Sequence, residues 1–398
     1  MSSASLPSIV DRSNESIAAN KEKAELIRAA CETRDIRSLI ELANSADGLL
    51  ADSLRRTAWP ILLGCPTEQT ESESWRSLPP HREEEQVAKD VNRAFVHYPK
   101  ESDRQLDRRK EELSDVIVEV LRRHPALCYF QGYHDIVQVL YLVLGAQAAP
   151  AAATRLSLLR IRDFMLPTLD AAISHLELLP SLLRAVDPQL YSHLPRIQPH
   201  YALGATLTLF SHVVEEYGDI TRLFDFFLAN DTVVPVYAFA AILLSRREEL
   251  LELDEDEGDA VFFVVLGKLP KPFDVEVHVK STLELYQKAP PESLRSWSWW
   301  KISSSSVLKA TRTPYDVAKM SIADGETLFQ RQSRDLRIQQ ACRSSLLITR
   351  RLRLQVWRHR RPGAIGLAIA VGIFALWLGK GRGSTGMEFY KTILGVFV

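Results

Sequence analysis

The feature that most constrains this chain is an uncharged run of 17 residues near its C-terminus. Residues 363–379 read GAIGLAIAVGIFALWLG and lie between the charged strings RHRRP and KGRG. A helix that crosses a bilayer needs roughly 17–25 apolar residues. We therefore predict a single membrane-spanning helix here. The alternative is a buried core helix, which would need further folded sequence to pack against.

Basic residues are more numerous before this run than after it. Six arginines precede it between positions 350 and 361, whereas Lys380, Arg382 and Lys391 follow it. Because cytoplasmic flanks carry the excess of basic residues, the body of the chain is expected to face the cytosol. An anchor so close to the C-terminus would insert after synthesis, into the endoplasmic reticulum membrane by default. An early Golgi membrane is the alternative location.

Charge divides the chain into an acidic body and a basic segment. Residues 1–295 carry 32 basic and 45 acidic side chains, whereas residues 296–362 carry 14 and 4. An acidic body argues against nucleic acid as its partner. The four cysteines are widely spaced, which supports neither a zinc site nor a disulfide framework. No metal is expected.

The body shows helical rather than strand periodicity. Apolar residues recur at three- and four-residue spacing in segments such as 86–97 and 113–124. Residues 260–269 fit a strand or a helix equally well. We therefore predict an all-α fold. Its predicted parts are a partly disordered N-terminal region with a helix (1–47), a helical domain (48–295), a basic neck (296–362), the membrane helix (363–379) and a short luminal tail (380–398).

An arginine in segment 86–97 is the first candidate functional residue. On a helical wheel Val87 and Phe95 belong to the apolar stripe, whereas Arg93 points about 150° away from its middle. Asp90, three residues earlier, can brace the guanidinium in an ion pair. The alternative is an ordinary solvated arginine in a surface salt bridge.

The string YFQGYHDI (129–136) places polar residues between two apolar segments. Gly132 permits a turn that a β-carbon would obstruct, and Asp135 is expected to cap the helix that follows. Gln131 then lies on a loop in front of a helix start, with Tyr129 nearby. The alternative is that Gln131 only bonds the backbone of a tight turn.

Three short motifs carry a family resemblance. In chain order they are Arg55-xxx-Trp59-Pro60, Asp90-xx-Arg93 and Tyr129-x-Gln131-Gly132. Together they resemble the TBC domain of Rab GTPase-activating proteins, over roughly residues 48–295. The longer strings YFQGYHDIV and LFDFFLANDTVVPVYAFAAILLSRRE resemble the membrane-anchored endoplasmic-reticulum subgroup of that family. Val87 stands where the family usually has isoleucine, which is a minor change in packing.

The resemblance implies an activator of a Rab-family GTPase of the early secretory pathway, acting on its GTP form. Arg93 would enter the GTPase site in trans, and Gln131 would orient the attacking water. The supporting residues would be Asp90, Tyr129, Gly132 and Asp135, with Arg55 and Trp59 as structural residues. The chain has no GxxxxGK[ST] motif. GTP and Mg²⁺ would therefore be carried by the Rab partner, and the chain would not itself be a hydrolase.

Two other functions stay open at this point. A catalytically silent TBC module could bind Rab proteins at the membrane as a scaffold. Such a module can lose either of the two finger residues, but this sequence retains both Arg93 and Gln131. An unrelated helical membrane adaptor would be supported by composition alone.

Overall fold

Helices and the turns that join them make up the fold. The structure, a computed structural model, describes residues 9–67, 74–254, 258–295, 297–338, 340–341 and 368–376. All regular secondary structure in these residues is helical, so the predicted all-α fold is confirmed. Contacts divide the chain into two compact units, Met1–Ser333 and Arg334–Val398.

The helices fall in the following order along the described residues. The first nine are α1 (Ile9–Glu32), α2 (Ile36–Asn44), α3 (Asp52–Leu62), α4 (Glu84–Val91), α5 (Asp103–Arg123), α6 (Tyr133–Leu159), α7 (Asp170–Leu176), α8 (Leu178–Val186) and α9 (Pro188–His193). They are followed by α10 (Leu203–Leu207), α11 (Tyr217–Ala229), α12 (Val234–Ser245), α13 (Arg247–Leu251), α14 (Asp259–Leu266), α15 (Val275–Lys288), α16 (Ser298–Lys301), α17 (Val307–Ala310) and α18 (Pro314–Lys319). Residues 322–338 form α19 and residues 368–376 form α20.

Helix α3 is central to the first unit, since it packs against α1, α2, α6 and α11. Trp59 is completely buried, with its ring centroid 5.7 Å from that of Phe224. Its indole N–H donates to Asp225 Oδ1 at 2.7 Å. Arg55 donates to the same carboxylate from Nε and Nη2, at 3.0 Å each. Arg55 and Trp59 are therefore both part of the core.

Helix α4 is shorter than the sequence predicts. It ends at Val91 rather than near His97. The main-chain N–H of Phe95 donates to Gln138 Oε1 at 2.9 Å instead of extending the helix. Phe95 also has φ +63°, which is incompatible with a continuing α-helix. Arg93 therefore lies in the turn after the helix, and the helical wheel does not set its direction.

Helix α6 is the one helix in the described part of the chain that is long and apolar enough to cross a membrane. However, 61% of its most apolar window is buried inside the protein. Gly145, with φ 79° and ψ 167°, divides it into two helical segments. Helix α5 packs along it, and α3 and α4 also contact it. It is therefore a core helix of the first unit.

Only part of the predicted membrane span lies within the described residues. Residues 368–376 are helical, and Ile369, Ile373, Phe374 and Leu376 are each more than half exposed. The remaining residues of 363–379 and the predicted luminal tail lie outside the described residues.

Residues beyond the predicted boundary at 295 are integrated into the first unit. The buried carboxylate of Asp163 accepts hydrogen bonds from Ser306 Oγ and from Gln332 Nε2. The fully buried guanidinium of Arg162 donates to Thr311 Oγ1 and Gln332 Oε1, at 2.9 Å each. These contacts make part of the basic segment a structural element of the body.

Asp163 is held in its charged form by this network. Burial opposes ionisation, but the hydrogen bond from His175 and the charge of Arg162 outweigh burial and lower the pKa of Asp163 to about 2. His175 Nε2 lies 2.8 Å from Asp163 Oδ2. Asp163 is therefore a buried charge that is paired with His175, and side chains from residues 305–332 complete its hydrogen bonds.

We predict that a chain ending at residue 295 does not fold stably, whereas a chain ending at residue 341 does. The shorter chain lacks Ser306, Thr311 and Gln332, so Asp163 and Arg162 would be buried without most of their partners. A buried polar group left without its hydrogen-bond partner costs about 1–3 kcal/mol and more when it is charged, and a domain has only about 5–15 kcal/mol of stability. Thermal unfolding followed by circular dichroism would compare the two chains. Equal melting temperatures would contradict the structural role of residues 305–332.

Candidate functional site

Arg93 and Gln131 line the same open groove. Its walls are the loop 93–98, the turn 130–132 and residues 203–212, and we call it the Arg93–Gln131 groove. The Arg93 side chain is 65% exposed, and Gln131 is also exposed. The fold therefore brings together, at one accessible surface, two residues that the sequence places in separate motifs.

The buried carboxylate of Asp90 holds the guanidinium of Arg93. The guanidinium donates from Nη2 to Asp90 Oδ1 at 2.5 Å, and Asp90 is completely buried. Asp90 also accepts from Gln86 Nε2 and from the Tyr129 hydroxyl, at 3.0 Å each. Burial opposes the charge of Asp90, but the hydrogen bonds from Arg93, Gln86 and Tyr129 outweigh burial and lower its pKa. Asp90 thus holds one nitrogen of the Arg93 guanidinium, while most of the side chain stays accessible to solvent.

Polar contacts continue from Tyr129 across the floor of the groove. The Tyr129 hydroxyl lies 3.2 Å from His134 Nδ1, and His134 Nε2 lies 3.3 Å from Asp135 Oδ1. His212 Nδ1 lies 2.9 Å from Asp135 Oδ2. Burial lowers the pKa of His134, whereas the hydrogen bond to Asp135 raises the pKa of His212. The two walls of the groove are therefore connected through side-chain contacts.

Asp135 does not cap helix α6, contrary to the prediction from the sequence. The helix begins at Tyr133, and its N-cap residue is Gly132, which has φ +100°. This left-handed conformation lets the helix start two residues before the predicted cap. Asp135 is thus already inside the first turn, where it pairs with His212.

The turn that carries Gln131 is packed closely against residue 208. A β-carbon added at Gly132 would lie 2.6 Å from Thr208 Cγ2, so the turn approaches its neighbour more closely than other residues allow. Among the described residues, the Gln131 carboxamide makes no hydrogen bond. It therefore does not bond the backbone of its own turn, which was the alternative reading of this residue.

Two residues of the groove are absent from the sequence-based prediction. Gln138 is buried and accepts from the Phe95 main chain, and His212 pairs with Asp135. A signal for Gln138 was available, because it is a lone carboxamide in the apolar string IVQVLYLVLG. His212 has no such signal. Within the described residues, no group of three or more His, Cys, Asp or Glu side chains is arranged to hold a metal ion.

The chain belongs to the Rab-GTPase-TBC domain family, whose model matches residues 52–251. It is similar to TBC1 domain family member 20 of Bos taurus, at 31% identity over 361 residues, covering 89% of this chain and 88% of that protein. It is also similar to GTPase-activating protein gyp10 of Schizosaccharomyces pombe, at 32% identity over 327 residues, covering 79% of this chain and 85% of that protein. The resemblance drawn from the three motifs is confirmed.

A solved structure agrees with this assignment at the level of the fold. The TBC domain of a Chlamydomonas flagellar RabGAP superposes with a TM-score of 0.52 at 15% sequence identity. The match covers 70% of this chain and 95% of that domain. The first unit therefore has a TBC-type helical fold.

We predict that Gly132→Ala lowers the stability of the protein by about 1–3 kcal/mol, as left-handed conformations of non-glycine residues do. Thr208→Ser is the matched background, because it removes Cγ2 and keeps the hydroxyl that donates to Gly204 O at 2.7 Å. In that background Gly132→Ala should cost less, since only the backbone strain is left. Thermal melts of the four chains would measure both contributions. The same cost in both backgrounds would contradict the close approach of Thr208.

Proposed function

We propose that this chain accelerates GTP hydrolysis by a Rab-family GTPase of the early secretory pathway. Its relatives with GTPase-activating names and its TBC-type fold support this class of activity. The observation that carries the proposal is that Arg93 and Gln131 are both exposed in one groove, with Arg93 anchored by the buried Asp90. A partner GTPase that docks on this groove would meet both side chains at once.

Arg93 would act on the charge that develops during hydrolysis. Phosphoryl transfer spreads negative charge over the γ-phosphoryl oxygens, and an arginine supplied in trans accelerates the reaction by about 10³–10⁵. The single bond to Asp90 leaves the guanidinium largely exposed. The planar group could therefore donate to phosphoryl oxygens from its other N–H groups while Asp90 holds Nη2.

Gln131 would orient the attacking water. Its carboxamide offers both a donor and an acceptor, and in the described structure neither is used by the protein itself. Gly132 beside it adopts a φ of +100° without strain and lets the turn pack closely against Thr208. Because GTP and Mg²⁺ would arrive with the Rab protein, this chain is proposed to bind no cofactor of its own and to act as an activator rather than as a hydrolase.

The presence of both side chains favours activation over a silent scaffold. A scaffold needs only a docking surface. Its function would not require an exposed arginine that is held by a buried carboxylate. The pair Arg93–Asp90 has the geometry of a braced donor, and its partner Tyr129 belongs to the motif that contains Gln131.

We predict that Arg93→Ala and Gln131→Ala each lower stimulated GTP hydrolysis by at least about 10²-fold, with the fold intact. Arg93→Lys should also fail, because a single ammonium cannot replace the planar fork of the guanidinium. The measurement is phosphate release from a panel of GTP-loaded Rab proteins, with the full chain in detergent.

The matched control for these variants is Arg37→Ala. Arg37 is an exposed arginine that also pairs with a carboxylate on its own helix, Glu41 at 3.1 Å, and it lies outside the family match. Its loss should leave hydrolysis unchanged. Near-normal rates in both Arg93→Ala and Gln131→Ala would refute the finger mechanism. A wild-type chain that accelerates no Rab protein in the panel would instead favour the silent scaffold.

We further propose that residues 363–379 anchor the chain in the endoplasmic reticulum membrane, with the body facing the cytosol. The support is the uncharged run, the excess of arginine before it and the exposed apolar side chains of its described helical part. Seventeen residues suit a thin bilayer, and the endoplasmic reticulum membrane is thinner than the plasma membrane.

We predict that Ala370→Arg together with Ile373→Arg releases the chain from membranes. Each arginine at the centre of a span opposes insertion by about 2.5–3.5 kcal/mol. The released body should still act on soluble Rab, but it should act less on liposome-bound Rab because tethering supplies effective concentration. Carbonate extraction, followed by hydrolysis assays on both forms of Rab, would test this. A double variant that resists extraction would show that 363–379 is not the anchor.

A further inference from the structure

The loop that carries Arg93 is held by helix α6 as well as by its own helix, to which the main-chain N–H groups of Arg93 and Ala94 donate at 3.0 and 2.9 Å. Helix α4 ends at Val91, and the main-chain N–H of Phe95 is donated to Gln138 Oε1 at 2.9 Å. Gln138 is 5% exposed. A buried carboxamide oxygen in an apolar stretch of α6 thus binds the backbone two residues after Arg93.

Phe95 needs such a partner, because its backbone is in an unusual conformation. Its φ of +63° is one that a bulky side chain rarely adopts, so the surrounding structure must hold it there. Its ring lies against Tyr141, with centroids 6.2 Å apart. Gln138 and Tyr141 are three residues apart on α6 and therefore share a face. Helix α6 thus holds both the main chain and the side chain of Phe95.

The same helix begins at the turn that carries Gln131. Gly132 is its N-cap residue, and Gln138 lies in its second turn, with both residues lining the Arg93–Gln131 groove. We infer that Gln138 is a positioning residue: it fixes the Arg93 loop to the helix that presents Gln131, so that the two fingers keep a constant separation. This inference rests on the proposed function.

The chemistry of a shared transition state explains why the separation matters. Arg93 and Gln131 would have to reach one transferring phosphoryl group and its attacking water together, and a displacement of about 1 Å can cost up to about 10²-fold in rate. Helix α4 holds the guanidinium of Arg93 through the Asp90 carboxylate, and it holds the main chain only as far as Ala94, whose N–H donates to Val91 O. The Gln138 bond restrains the next residue, Phe95, and ties the loop to α6.

The variant that tests this is Gln138→Met, which has a similar size and no acceptor oxygen. Its matched control is Thr282→Val. Thr282 is completely buried and, like Gln138, makes a buried hydrogen bond to the main chain, donating to His278 O at 2.6 Å, but it lies on α15, away from the groove. Both variants remove one buried hydrogen bond. A purely structural role for Gln138 would make them behave alike.

Two complexes of one Rab protein separate positioning from docking. The Rab is the one that the wild-type full chain in detergent accelerates most in a panel. Loaded with a non-hydrolysable GTP analogue, it represents the ground state; loaded with GDP and aluminium fluoride, it mimics the transition state. We expect Gln138→Met to weaken binding of the aluminium fluoride complex by about ten-fold. Its binding of the ground-state complex, and both affinities of Thr282→Val, should stay within about two-fold of wild type.

A double variant shows whether Gln138 acts through Arg93. In an Arg93→Ala chain, Gln138→Met should cause no further loss of affinity for the aluminium fluoride complex, because the group that it positions is gone. A full additional loss would overturn the inference. So would equal losses for the ground-state and transition-state complexes, or equal behaviour of Gln138→Met and Thr282→Val.

Hydrogen exchange provides a readout that needs no Rab protein. In Gln138→Met the peptide covering residues 92–98 should exchange faster than in wild type, whereas in Thr282→Val it should not. Unchanged exchange would overturn the inference even if the chain is an active Rab activator. A second outcome is that the peptide exchanges faster but the wild-type chain accelerates no Rab protein. The contact between Gln138 and the loop would then exist, but the proposed function would fail, and with it the role of Gln138 in catalysis.

Discussion

The buried carboxylate of Asp225 is the interaction on which the rest of the first unit depends. It accepts hydrogen bonds from Arg55, from the indole of Trp59 and from the main-chain N–H of Leu49. A buried charge is costly unless it is paired and hydrogen-bonded. The fold is therefore stable only when all of these donors are in place around Asp225. Gly48 leaves room for it, since a β-carbon there would lie 2.6 Å from Asp225 Oδ2. The first motif of the family therefore serves the core, and it fixes α3 to α11.

Helix α6 connects this core to the groove, because it packs against α3 and begins at the turn that carries Gln131. In its second turn Gln138 holds the loop of Arg93. Near its end Arg155 donates to main-chain oxygens of Val317 and Met320, at 2.6 and 3.0 Å. One helix thus contacts the core, the groove and the segment that leads toward the C-terminus.

The sequence was sufficient for features that depend on local patterns. Helical periodicity gave the all-α fold, and the ordered motifs gave the family and placed Arg93 and Gln131 together. It was insufficient where a distant side chain decides the outcome. Helix α4 ends early because Gln138 takes the N–H of Phe95, and the partner that buries Arg55 lies far along the chain at Asp225. The lone carboxamide of Gln138 in an apolar string is a signal for that residue, but pairings of this kind have no periodicity, so its partner could not be predicted.

The buried pair Arg162 and Asp163 also has a consequence for the order of folding during translation. Domains tend to fold from the N-terminus as the chain is made, but these two charges find Thr311 and Gln332 only after most of the chain has been synthesised. Until then His175 and Leu158 O are the partners already available to these two charges, and their remaining hydrogen bonds cannot form. The next apolar segment to emerge is the run 363–379. Completion of the body and synthesis of this uncharged apolar run are therefore close together in time for the nascent chain.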